Sequence, residues 1–116
     1  MAQQHFYIKA GDSRPYLRGT VKDANGAAVD IGAATVKFTM VAVGSRYKKV
    51  NKSTAVVTNG PLGLCEYRWN IAAGDTDTPG DYLGEFEVTF TGDATIETFP
   101  NTKRNQLYVH VDKQGS

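Results

Sequence analysis

Little in this chain could staple or anchor it. Among its 116 residues there is one cysteine, Cys65, so no internal disulfide is available and the fold must hold without one. No apolar run approaches the ~20 residues that a membrane-crossing helix needs. The opening Met1-Ala2-Gln3-Gln4-His5 lacks both the basic and the apolar segment of a secretory leader, so none is expected. Histidine is scarce too, with only His5 and His110. Catalytic zinc wants three convergent ligands, and by alternation Cys65 faces the core, so two surface histidines are expected and no metal site. Charge of one sign is also missing, since the net charge is +1. Nucleic-acid-binding domains are usually basic overall, which argues against that class. The charge is nevertheless uneven along the chain. Residues 1–52 carry nine Lys/Arg against three Asp/Glu, and residues 53–116 carry four against nine.

What the chain does have is alternation. A length of 116 residues bounds it to one domain, residues 1–116. Phe6 and Ile8 point one way between residues 5 and 9. Leu17, Gly19 and Val21 alternate with Arg18, Thr20 and Lys22; Val36, Phe38 and Met40 alternate with Thr35, Lys37 and Thr39. Cys65, Tyr67, Trp69 and Ile71 share a face, as do Tyr82, Gly84, Phe86, Val88 and Phe90, and finally Leu107, Val109 and Val111. Period-two patterning of this kind marks half-buried strands. Turn chemistry separates them, with Asn25-Gly26, Asn59-Gly60-Pro61 and Thr91-Gly92-Asp93-Ala94 as breaks. Residues 95–99 read as a further strand and residues 100–105 as a loop. Residues 31–36 are the one place for a helical turn, and residues 44–53 read as a polar, basic loop. About eight short strands with turns between them predict an all-β, antiparallel sandwich of about 7–9 strands.

The corner Asp75-Thr76-Asp77-Thr78-Pro79-Gly80-Asp81-Tyr82 narrows the class. A tight turn that ends in a tyrosine opening a half-buried strand resembles the tyrosine corner of immunoglobulin-like sandwiches. Tyr82 is therefore expected to be buried with its hydroxyl on corner backbone. Asp77, Gly80 and the inward Trp69 are expected to be structural. Asp75, Asp77 and Asp81 have part of the spacing of a calcium loop, but too few oxygens converge and Pro79 interrupts the turn.

Chemistry is sparse elsewhere. Cys65 is in phase with core residues and reads as a small buried hydrophobe rather than a nucleophile. No nucleophile–base pair is visible, so no catalytic residue and no cofactor is expected. Arg46, Tyr47, Lys48, Lys49 and Lys52 form the one basic cluster, read as a protein-contact loop. Tyr7, Tyr47 and Tyr108 are outward aromatics that would suit either a protein interface or a sugar-stacking platform.

Specific blocks resemble the N-terminal domain of phage baseplate upper proteins and their prophage relatives. They are Phe6-Tyr7-Ile8-Lys9-Ala10-Gly11-Asp12 with Arg14-Pro15, and Val21-Lys22-Asp23-Ala24-Asn25-Gly26 leading into residues 29–38. The others are residues 74–82 running into Glu85-Phe86-Glu87-Val88, and Glu97-Thr98-Phe99-Pro100-Asn101. The resemblance implies an immunoglobulin-like sandwich that builds a phage tail or baseplate, with no catalytic residues to carry over. The implied partners are other virion proteins and further copies of the chain, with no nucleic acid and no membrane. The implied location is the virion, after synthesis in the bacterial cytoplasm. A capsid decoration or neck protein of the same fold, or a carbohydrate-binding module on the host surface, are the alternatives. The family's proteins often continue into further domains, whereas this sequence stops at Ser116.

Overall fold

Alternating apolar residues become nine strands, and no helix forms among the described residues. The computed structural model describes residues 4–23, 25–92, 94–100 and 106–115. The strands are β1 (Gln4–Lys9), β2 (Leu17–Thr20), β3 (Ala34–Ala42), β4 (Lys48–Thr54), β5 (Val56–Asn59), β6 (Leu64–Tyr67), β7 (Gly80–Phe90), β8 (Ile96–Phe99) and β9 (Leu107–Asp112). One sheet runs β1-β9-β7-β3-β4, with β8 also paired to β7; the other runs β2-β6-β5. The chain is therefore an all-β sandwich.

The long strand β7 organises the larger sheet. It pairs antiparallel with β3 from Gly84↔Met40 to Phe90↔Ala34 and beyond. Its other side pairs with β9 over its first half and with β8 over its second. Every pair in both sheets is antiparallel except β1–β9, which is parallel. No tight hairpin links those two strands, so nothing in the turn geometry forces an antiparallel pairing.

The core lies between the sheets. Val36, Phe38, Met40, Tyr82, Phe86, Val88, Val109 and Val111 descend from the larger sheet, and Leu17, Cys65 and Tyr67 face them. Phe38 sits at the centre. Its ring stacks on Tyr67 at 4.7 Å and meets the edge of Trp69 at 6.0 Å. Trp69 is buried, and its indole N–H donates to the Pro15 carbonyl at 3.0 Å, which satisfies the one polar group that burial would strand.

Cys65 lies in this core, and burial pushes its thiol from an ordinary 9.0 up to about 11. The native thiol should resist a thiol reagent at neutral pH and react once the chain unfolds, read by labelling with and without denaturant. Because the folded pKa is raised, the folded chain holds the proton that the unfolded chain releases. Stability should therefore be intact below pH 9 and fall as pH rises towards 11, seen as a falling urea midpoint. The phenols of Tyr67 and Tyr82 are raised mainly by burial and act in the same direction.

Three expectations need correction. Residues 44–53 are not a loop: only a short turn around Gly44, at φ 77°, precedes β4. That strand has a single apolar residue turned inward, Val50, so its alternation is nearly invisible. Residues 31–36 form no helical turn; Ile31 is fully buried and β3 begins at Ala34. Ile71 leaves the core face because β6 ends at Tyr67 and the chain turns, leaving Ile71 exposed. Of the expected turns and loop, Ala24, Asp93 and residues 101–105 lie outside the described residues.

Candidate contact surfaces

The corner before β7 is built as its sequence suggests. Tyr82 is 4% exposed and its hydroxyl donates to the Thr78 carbonyl at 2.8 Å. Gly80 sits directly over that ring, at φ 156°, where a Cβ would meet the Tyr82 hydroxyl at 3.7 Å. A Tyr82→Phe variant should lose about 1 kcal/mol in urea unfolding, the usual worth of one such bond. The buried acid of the corner is Asp75, not Asp77. Asp75 accepts from the Tyr67 hydroxyl and from the Asn70 amide at 2.8 Å, joining the corner to β6. Asp77 is exposed and accepts from Lys49 and from the Thr78 hydroxyl. The Lys49 ammonium beside it holds the Asp77 carboxyl below the ordinary carboxylate range. No group of three or more His, Cys, Asp or Glu among the described residues could hold a metal ion.

The basic cluster is thereby split. Lys49 is spent on Asp77 and Thr78, and Lys52 lies 3.7 Å from Glu87 on β7. The acids that meet Lys49 and Lys52 are supplied from within the chain, Asp77 by the corner before β7 and Glu87 by β7 itself. Lys52 also sits at φ 51° where the β3–β4 register shifts, and its amide donates to the Thr39 hydroxyl at 3.2 Å. What remains free is the hairpin tip. Arg46 and Lys48 are exposed and make no ion pair with a described residue. Tyr47 and Val43 beside them are exposed apolar side chains.

A second surface was not visible in the sequence. The parallel pairing of β1 with β9 sets His5 beside Tyr108 and Tyr7 beside His110. His5 Nδ1 and His110 Nε2 are 2.9 Å apart, and the imidazoles are within 12° of parallel with centroids 5.2 Å apart. The two rings therefore lie nearly side by side in one plane. Tyr108 stacks on His5 at 5.2 Å and Tyr7 stacks on His110 at 4.7 Å. The register places the two tyrosines on opposite sides of the imidazole pair. Asp81 on β7 lies 2.8 Å from His110 Nδ1. With neutral imidazoles, His110 donates its Nδ1 proton to Asp81, so its Nε2 accepts from His5 Nδ1–H. His5 Nε2 is then left as an open acceptor. Tyr7 keeps 61% of its surface exposed despite its contact with His110. Neither a protein-family model nor a curated protein sequence matches this chain.

Proposed function

We propose that the chain is a non-enzymatic structural protein of a phage virion, a tail or baseplate component or adaptor that works through protein–protein contacts. The observation that carries the contact reading is the β3–β4 hairpin tip. Arg46 and Lys48 stand there without an ion pair to any described acid, next to exposed Tyr47 and Val43. Arg and aromatic residues are enriched at interfaces, and charges at a rim set register and partner choice. The strand order supports the immunoglobulin-like part of this reading. The order β2-β6-β5 follows strands B, E and D of that fold, and β9-β7-β3-β4 follows G, F, C and C′, with Tyr82 opening the F strand. The sequence blocks that resemble baseplate upper proteins supply the virion setting.

Particles purified from the producing bacterium should contain the chain, detected by mass spectrometry; particles without it would overturn the virion reading. The contact itself is tested by Arg46→Glu with Tyr47→Ala and Lys48→Glu. The fold should survive, since exposed substitutions away from special contacts usually stay within about 0.5 kcal/mol each. Incorporation into particles should drop sharply. Occupancy equal to wild type would remove the hairpin tip from the contact. Lys49 and Lys52 are left unchanged, because both have partners inside the fold.

A further inference from the structure

We infer that the free edge of β1 is a self-association surface, on which a second copy of this chain adds its own β1 antiparallel about a two-fold axis. The five edge strands are not alike. β4 carries Lys48, Lys49 and Lys52 and two register shifts against β3, features that blunt an edge. β2, β5 and β8 are four residues each, and β5 has a register shift as well. β1 is less protected, since its one lysine, Lys9, lies at its very end. It holds an unbroken six-residue register against β9, contains no proline, and has no formal charge between Gln4 and Ile8.

The hydrogen-bonding parity of β1 decides which groups its edge offers. Gln4 N–H donates to Gln106 at 3.0 Å and Ala10 N–H donates to Asp112 at 2.7 Å. In a parallel ladder alternate residues bond to the same neighbour, so Phe6 and Ile8 also turn their amides to β9. His5 and Tyr7 therefore present N–H and C=O outward. A second β1 laid antiparallel with Phe6 on the two-fold axis sets His5 of one copy opposite Tyr7 of the other, in two equivalent places. An isologous contact needs such a self-matching pattern.

The side chains match as well. With both imidazoles neutral, Asp81 and His110 fix the direction of the proton chain, and His5 Nε2 is an acceptor without a partner among the described residues. Tyr7 is 61% exposed. In the pair, the Tyr7 hydroxyl of each copy lies beside His5 Nε2 of the other and donates to it. No like charges face each other across the axis. The two larger sheets become one continuous sheet. This association involves a different edge from the hairpin tip and stands whether or not the protein is part of a virion.

Analytical ultracentrifugation of the wild-type chain should give twice the 12.6 kDa monomer mass, decaying to the monomer on dilution. Amide hydrogen exchange should show His5 and Tyr7 protected in the concentrated sample and unprotected in the dilute one. A Tyr7→Lys variant should sediment as a monomer with the circular dichroism of wild type; His5→Lys serves if that variant misfolds. A wild-type chain that stays monomeric when concentrated overturns the inference. So does a dimer in which the His5 and Tyr7 amides exchange freely, or a folded lysine variant that still dimerises.

Discussion

An Asp75→Ala variant should lose about 2–4 kcal/mol of folding stability, the largest effect expected of any polar substitution in this chain. Asp75 is 4% exposed and its carboxylate serves the buried Tyr67 hydroxyl and the part-buried backbone amide of Asn70. Bonds to a charged acceptor contribute roughly 1.5–3 kcal/mol, and a buried donor left without a partner costs about 1–3 kcal/mol. Tyr67 also forms the aromatic centre with Phe38 and Trp69, so its displacement would spread into the core. The melting temperature should fall by roughly 10 °C or more for a domain of this size. The companion variant Tyr67→Phe removes one donor and keeps the ring, and should cost less than half as much. Equal losses in the two variants would show that the carboxylate does not join the corner to β6.

Gly60→Ala should be comparably damaging for a different reason. A Cβ at Gly60 would lie 2.3 Å from Gly32 Cα and 2.7 Å from Gly32 N. Both are backbone atoms, so no rotamer change relieves the clash. The segment before β3 is pinned here, because the Ile31 amide donates to the Gly60 carbonyl at 2.9 Å and Ile31 is fully buried. Separating the two segments would strain the bond and the burial together, for a loss of about 3 kcal/mol or more. Gly92→Ala is the control: nothing lies within 4 Å of a Cβ there. Its urea midpoint should match wild type, and a Gly60→Ala midpoint near wild type would contradict the close approach.

The core was legible because burial imposes a period of two wherever both faces of a strand differ. Val36, Phe38 and Met40 on β3, and Tyr82, Gly84, Phe86 and Val88 on β7, are all buried as their alternation implies. β4 escaped because an edge strand has less to bury. Its composition is that of a loop, with Val50 alone carrying the signal. The ring cluster escaped for a topological reason. His5 and His110 are 105 residues apart, and only the β1–β9 pairing makes them neighbours. Asp75 and Asp77 could not be told apart either, since two aspartates in one polar corner look alike until the chain turns one of them inward.

The β1–β9 pairing also fixes how the domain would bear a load. Both strands run the same way, with β1 near the start of the chain and β9 near its end. A pull on the segment before β1 and on the segment after β9 therefore draws the two strands in opposite directions along their common axis. Their hydrogen bonds lie across that direction and are evenly spaced, so they are sheared together instead of opening one after another. Six paired positions share the force. A chain held by both ends should thus yield abruptly at one high force, with β1 and β9 parting first.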